Sequence, residues 1–414
     1  MALDRRSVVI TGAGCLSCLA DSPVGLHAAL CAGQSGLKAI ELFPTEGIGC
    51  LQAGEIRPFD AQSYLPDRNL RPIDRTSRLL LVAAGQALSA SGWPVESAER
   101  CDDEIGLVLG TTFCSVRTIA EFDRRNLQLG PSYASPLDFA NSVINAAAGQ
   151  TAIWYGLRGL NSTISAGESS GLAAVGYAAE QIRGGRAAAL LAGGAEELCF
   201  ESFFGHYQAG RLCGEFPIPF DSRRDGFALA EGAALVMLED AAAASERGAP
   251  VLAEVLGHGS GFDPLGTEAS AVRAVARAVR LALEDAGLGA GDVDALSAGA
   301  NGSVDGDRWE ALGVAAALGA RAADLPVTAV KSMLGEALGA SGGLQIVALL
   351  GTFGLQGNGV LPGILGLEGT GADFPLPAAG PAARQVRVRR ALATSLSADG
   401  HAWAVMLGAA GEGA

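Results

Sequence analysis

One carboxylate stands where the local pattern of this chain points most directly at chemistry. Ser162-Thr-Ile-Ser-Ala-Gly-Glu-Ser-Ser-Gly171 reads as a short buried strand ending in a tight glycine turn. Leu172-Ala-Ala-Val-Gly-Tyr-Ala-Ala-Glu-Gln-Ile182 follows, with apolar residues every three to four positions, as a helix requires. Glu168 therefore falls on a strand-to-helix elbow, where the turn presses one side chain outward and helix N–H groups favour negative charge. Enzymes often place a nucleophilic Ser or Cys on such a turn. A carboxylate there could act as an acid or base, or simply cap its helix. The other reactive side chains form weaker patterns. Cys15 and Cys18 make a lone C-x-x-C, and Cys31, Cys50, Cys101, Cys114, Cys199 and Cys213 are scattered, so reduced, buried thiols are expected. His27, His206, His258 and His401 show no zinc-binding spacing, and no metal site is expected. Gly12-Ala-Gly14 follows an apolar strand, but the third glycine of a dinucleotide fingerprint is replaced by Ser17.

The elements that must position Glu168 alternate between strand and helix. Strands are expected at Ser7–Thr11, Glu104–Gly110, Ala187–Ala192 and Gly232–Leu238, with helices at Asp21–Ala32, Asp74–Gly92, Thr111–Asn126 and Pro136–Tyr155. Ile40–Pro66 reads as an irregular excursion. Around Gly248-Ala-Pro250 the alternation restarts. Strands are expected at Val251–Leu256, Val293–Ala298, Val327–Val330, Arg387–Ser395 and Ala402–Leu407, and helices at Thr267–Ala286, Asp307–Leu318 and Gly342–Gly354. Two runs of comparable order predict a duplicated α/β unit, residues 1–249 and 250–414.

Composition sets the outer limits. The chain has 414 residues, 49% of them hydrophobic, enough for a large core. A formal net charge of −15 opposes binding to nucleic acid or to anionic membrane surfaces. No apolar run reaches the roughly 18 residues of a spanning helix, and no signal-peptide pattern opens the sequence, so a soluble cytoplasmic protein is expected. Arg68, Arg71, Arg75 and Arg78 could meet an acidic protein. A solvated face with local pairs to Asp67 and Asp74 is the commoner use of such a run.

Several motifs together resemble the β-ketoacyl synthases of the thiolase fold. They are Val8-Val-Ile-Thr-Gly12, Tyr155-Gly-Leu-Arg-Gly159, the elbow itself, Gly193-Gly-Ala-Glu196, Pro217-Ile-Pro-Phe-Asp-Ser-Arg-Arg-Asp-Gly-Phe227, Ala230-Glu-Gly-Ala233, Lys331-Ser-Met-Leu-Gly335 and Leu338-Gly-Ala-Ser-Gly342. The resemblance covers nearly the whole chain and implies a five-layered α-β-α-β-α fold from two halves. In it, the helices Leu172–Ile182 and Gly342–Gly354 would lie buried between the sheets. It also implies a chemistry: an elbow Cys takes an acyl chain from a carrier-protein thioester, and two His support decarboxylation of a malonyl thioester and the carbon–carbon bond that follows.

None of those three groups is present. Glu168 holds the Cys position, Asn301 the first His position and Glu336 the second; Lys331 is kept. The acidic residue usual in the following helix is Gln345, and the gating Phe of the C-terminal loop Ser397-Ala-Asp-Gly400 is Ala398. Loss of one oxyanion donor costs about 10²–10³ in rate, so loss of all three groups implies a chain without condensing activity. The resemblance is then greatest to the chain length factor of type II polyketide synthases, the inactive partner of an active ketosynthase. Gln is common at the elbow of those subunits, and Glu168 departs from it. The resemblance further implies a heterodimer formed across about Asn141–Ser165, an acyl carrier protein reached through the complex, and no cofactor. Phe113, Val116 and Ala120 are expected to share one helical face beside the acyl tunnel, and Leu137 and Asp138 to reach into the partner's pocket. Two other readings remain: an enzyme using Glu168 and Glu336 as an acid/base pair, and an inactive homodimeric scaffold. Glu168, Asn301, Lys331 and Glu336 are expected in one pocket, with Lys331 and the elbow N–H groups compensating the carboxylates.

Overall fold

The computed structural model describes residues 6–49, 52–66, 68–94, 105–354, 358–371, 374–376 and 380–411. Cys50, Asp67, Cys101 and Glu104 lie outside the described residues. The strands are, in order, β1 (Val8–Ser17), β2 (Lys38–Ala39), β3 (Gln52–Ala53), β4 (Ile105–Gly110), β5 (Asn161–Ile164), β6 (Ala189–Glu196) and β7 (Gly232–Asp240). They continue with β8 (Ala253–Phe262), β9 (Ala295–Ser297), β10 (Val327–Thr328), β11 (Asn358–Leu361), β12 (Arg384–Arg387), β13 (Arg390–Leu396) and β14 (His401–Ala409). Two five-stranded sheets have the same plan. One runs β5-β4-β6-β7-β1 and the other β10-β9-β13-β14-β8, each with three neighbouring parallel strands followed by two antiparallel pairings. Among the described residues two pairs, Val9 with Glu254 and Ile10 with Ala253, join the sheets into one ladder. β2 with β3, and β11 with β12, form two small hairpin-like sheets outside it.

Three hydrophobic clusters fill the four spaces between five layers, the central one packing both faces of the middle helix layer. The helix Arg75–Ala90 and the helix Ala146–Tyr155 cover the outer face of the first sheet through Leu80, Ala84, Tyr155 and Leu191. The helices Glu268–Ala286 and Val304–Leu318 cover the second sheet through Val275, Val279, Val314 and Leu392. Between the sheets lie the helices Ser170–Arg183 and Ser341–Phe353, buried along most of their length, as the sequence predicts, with Leu172, Val175, Leu344 and Val347 in the central cluster. Among the described residues no helix is long and apolar enough to cross a membrane.

The duplication is visible in one repeated contact. β1 extends beyond the expected Thr11 through Gly12 and Gly14 to Ser17, because the helix Arg75–Ala90 lies directly on its backbone. A Cβ at Gly12 would sit 2.4 Å from the carbonyl oxygen of Ala87, and one at Gly14 2.1 Å from that of Ala83. β8 repeats the arrangement. It passes the expected end at Leu256 because the helix Glu268–Ala286 lies on its backbone: a Cβ at Gly257, Gly259 or Gly261 would sit 2.4, 2.2 or 2.1 Å from the carbonyl oxygens of Ala282, Ala278 and Ala274. Glycines that look like strand breaks in the sequence are strand residues whose missing side chains admit a helix.

Two further expectations are corrected. The segment expected as one helix from Thr111 begins instead at Val116 and runs to Leu129. Thr111–Cys114 is a loop wound around the Glu196 carboxylate, which accepts from the backbone N–H groups of Thr112 (2.6 Å), Phe113 (2.9 Å) and Cys114 (2.9 Å). Pro136–Tyr155 is two helices, Pro136–Asn141 and Ala146–Tyr155.

Gly259→Ala should cost about 1–3 kcal/mol, the usual range for overpacking, since its new methyl meets backbone. Gly149→Ala, in the helix Ala146–Tyr155 with nothing within 4 Å of its Cβ, should be neutral or stabilise by up to about 1 kcal/mol. Thermal melting of the two variants checks the pair, and equal effects would contradict the contact.

Candidate functional site

The elbow is built by its small residues. Gly167 has φ +55, and a Cβ there would meet Ser397 Oγ at 1.9 Å, so only glycine lets the elbow approach the Ser397–Gly400 turn. Ser170, opening the helix, donates its hydroxyl to the Gly167 carbonyl (2.6 Å) and accepts from Ala166 N–H (2.9 Å). Glu168 is thereby aimed inward and is only 6% exposed.

Its carboxylate is fully engaged. Oε1 accepts from Arg211 Nη2 at 2.7 Å; Oε2 accepts from Ser397 Oγ at 2.5 Å and from Ala398 N–H at 3.2 Å. Burial alone would raise its pKa, but the Arg211 charge and the hydrogen bonds outweigh it and hold the carboxyl down at about 2. Arg211 also lies over the Phe227 ring, 5.1 Å from its centroid, and contacts His206 Nδ1 through Nη1 at 3.2 Å.

A second network surrounds Glu336, which is 0% exposed. Oε2 accepts from Lys331 Nζ (2.7 Å) and from Asn301 Nδ2 (2.8 Å), while Oε1 accepts from Ser341 Oγ (2.6 Å) and Leu338 N–H (2.9 Å). Asn301 Oδ1 accepts from Ser303 N–H at 3.0 Å, which fixes the orientation of its amide. Asp307 holds this loop by accepting from Asn301 N–H (2.9 Å) and Phe220 N–H (2.9 Å), and burial pushes its carboxyl up to about 7. Arg224, from the polar loop Pro217–Phe227, donates to the Ser303 and Val304 carbonyls and braces the same segment. Gln345 donates to the carbonyls of Ser297 and Thr394, both at 3.2 Å, tying the central helix to β9 and β13.

Glu168, Asn301 and Ala398 line one cavity of about 490 Å³, with Arg211, Asp263, Trp309 and Glu310 also in its wall. Lys331 and Glu336 sit behind Asn301. The expected grouping of four is therefore two adjacent networks, and the expected compensation of Glu168 by Lys331 is corrected: Lys331 is committed to Glu336, and Arg211 balances Glu168. Arg211 is 43 residues from Glu168, and no spacing in the sequence connects them. The one available signal is physical, that a buried carboxylate demands a cation.

The remaining expected residues are placed as follows. Phe113 lies in the loop before the helix and is exposed, so it does not share a helical face with Val116 and Ala120, which are half-buried on that helix. Leu137 is exposed, and Asp138 pairs with Arg125 at 3.1 Å. The arginine cluster divides: Arg71 is exposed, as a solvated face requires, while the side chains of the other three donate within the protein. Arg75 forms a two-pronged pair with buried Glu231 (2.7 and 2.6 Å), Arg78 donates to the carbonyls of Ile73 and Leu70, and Arg68 to that of Trp154. Asp74 instead caps its helix through Ser77 N–H at 2.8 Å. The six described cysteines are free thiols, and none lies in the cavity wall.

Residues 5–244 match the family model for the β-ketoacyl synthase N-terminal domain and residues 252–367 that for its C-terminal domain. The chain is 33% identical to the 3-oxoacyl-[acyl-carrier-protein] synthase 2 of Vibrio cholerae over 83% of this chain and 85% of that protein. It is 28% identical to the synthase of the same name from Synechocystis over 96% and 97%. The solved ishigamide ketosynthase/chain length factor superposes with a TM-score of 0.91 at 28% identity, covering 98% of this chain and 100% of that one.

Arg211→Leu should leave the Glu168 carboxylate buried without its counter-ion, at a cost of about 3–5 kcal/mol for a pair broken from one side, toward the lower end because Arg211 is partly exposed. The pH dependence follows from the sign of the shift. In the native chain Glu168 is held below its ordinary 4.5, so its contribution is complete above about pH 4.5 and is lost as pH falls toward 2. In the variant its pKa rises above the unfolded value, so stability returns as pH falls through that raised pKa. The gap in melting temperature between the two proteins should be widest near pH 7.5 and narrower at pH 5; a gap independent of pH would contradict the pair.

Proposed function

This chain belongs to the β-ketoacyl synthase family, and from that premise we propose that it is a non-catalytic, chain-length-factor-like subunit that pairs with an active ketosynthase and shapes the tunnel for the growing acyl chain. The observation that carries the reading is the state of the elbow. A carboxylate held near pKa 2 by Arg211 is a poor nucleophile toward a thioester, and the tetrahedral adduct it would form reverts by expelling the carboxylate, a better leaving group than the thiolate. Ala398 N–H, a donor suited to a developing oxyanion, already donates to Glu168. The histidine positions hold Asn301 and Glu336, and Glu336 neutralises Lys331. The curated relatives are named as synthases; this chain lacks the groups that such chemistry requires.

The surface supports a partner. β5 ends its sheet, so its outer edge is unpaired among the described residues. Around it Val143, Ile144 and Ile153 are exposed, with Leu137 and Phe139 nearby along the chain. The helix Val116–Leu129 has no buried residue. An edge strand flanked by exposed apolar side chains is a site for pairing with another chain, and the geometry of a two-fold dimer can persist when only one subunit does chemistry. The partner of this reading is an intact ketosynthase, with an acyl carrier protein delivering substrate to the pair. An acid/base pair of Glu168 and Glu336 is disfavoured, because each carboxylate is saturated within its own network.

Co-expression with a ketosynthase that has its catalytic Cys and His residues should give a one-to-one complex that elongates malonyl units, whereas the isolated chain should show no turnover. Glu168→Cys in a complex whose partner nucleophile is removed should not restore condensation. Phe113→Ala should lengthen the products and Ala120→Trp should shorten them, as read by mass spectrometry of the reconstituted pair. Turnover by the isolated chain, or unchanged lengths from both assembled tunnel variants, would contradict the reading.

A further inference from the structure

Arg211 separates two cavities. One is the elbow cavity; the other is a mostly apolar pocket of about 300 Å³ whose walls include Phe113, Val116, Ser202, His206 and Arg211 itself. His206 is only 8% exposed, and its ring is held between Phe113 (centroids 6.3 Å apart) and Phe227 (5.5 Å, edge to face). A guanidinium can only donate, so the 3.2 Å contact with Arg211 makes His206 Nδ1 the acceptor. A neutral ring that accepts at Nδ1 carries its hydrogen on Nε2. Burial and the Arg211 charge both lower the His206 pKa, which keeps the ring neutral. Nε2 is buried and has no hydrogen-bond partner among the described residues. His206, a wall residue of an apolar pocket, thus carries a neutral, buried N–H donor without an acceptor among the described residues, an arrangement that proteins rarely leave unsatisfied.

The pocket's chemistry selects the acceptor. The Arg211 charge is balanced by Glu168, and Glu201, which also lines the pocket, adds a carboxylate, so an anion is disfavoured. The walls formed by Phe113 and Val116 suit a hydrocarbon chain. We propose that His206 donates through Nε2 to a ketone oxygen on an acyl chain lying against Phe113 and Val116, so that this subunit distinguishes oxo-acyl chains from saturated ones of equal length. The inference rests on the tunnel reading of the preceding section and adds to it a polar reader of the chain's oxidation level.

The test uses the full chain, together with any subunit that copurifies with it, and isothermal titration of hydrolysis-resistant amide analogues of octanoyl-N-acetylcysteamine. One probe is saturated; the others carry a single ketone at C3, C5 or C7. At least one oxo probe should bind the native protein fivefold or more tightly than the saturated probe. His206→Phe, which keeps an aromatic ring between Phe113 and Phe227, should abolish that preference while saturated-probe affinity stays within about twofold; His206→Leu serves if the first variant does not fold. His206→Asn, which retains an N–H donor, should keep part of the preference. A preference that survives His206→Phe overturns the proposal. So does native protein that binds all probes alike or binds none, as it would if a partner side chain filled the pocket. The chain-length reading fails separately, through turnover by the isolated chain or absence of a complex with a ketosynthase.

Discussion

The architecture depends on one close crossing. Gly171, at the start of the first central helix, meets Gly342 at the start of the second. A Cβ at Gly171 would sit 2.8 Å from the Gly339 carbonyl oxygen, and one at Gly342 would sit 2.4 Å from Leu172 N. Backbone against backbone, the crossing leaves no room for side chains, and it fixes the starts of both central helices against each other. The residues just before those starts, Glu168 on one side and Glu336 on the other, are thereby brought into neighbouring positions although 168 residues of sequence separate them. The site is a consequence of helix packing between two sheets, and its small residues are the condition for it.

Such a crossing would place two buried carboxylates close together, which is unfavourable unless each is compensated. The chain meets this with two cations and two sets of neutral donors. Arg211, the Ser397 hydroxyl and the Ala398 amide serve Glu168; Lys331, Asn301, Ser341 and the Leu338 amide serve Glu336. Each donor used in this way is committed to a carboxylate within the protein. These groups satisfy the protein's own charges in two adjacent polar networks, one in the cavity wall at Glu168 and one behind Asn301.

Much of this was legible in the sequence. The elbow, the duplicated alternation of elements and the buried central helices all follow from local pattern or motif. What was not legible has physical reasons. Gly12, Gly14, Gly257, Gly259 and Gly261 look like breaks, because a sequence does not reveal that Ala83, Ala87, Ala274, Ala278 and Ala282 will press a helix onto them. Phe113 looks helical until Glu196, more than eighty residues away, captures the backbone amides before Val116. Arg75 looks solvated until Glu231 is folded beneath it. Arg211 and His206 carry no motif at all; their roles exist only once the loop after the helix Phe200–Gln208 is laid against the elbow. In each case a long-range contact overrides a local signal.

The central claim is that this chain cannot take an acyl group onto its own elbow. Intact-mass spectrometry of both subunits, after the purified pair is mixed with a saturated acyl group on its carrier protein and no malonyl donor, measures that directly. The account predicts an acyl adduct on the ketosynthase partner alone, removed when that partner's nucleophile is replaced, with this chain at its unmodified mass throughout. An acyl adduct on this chain, mapped to the peptide containing Glu168, would contradict it.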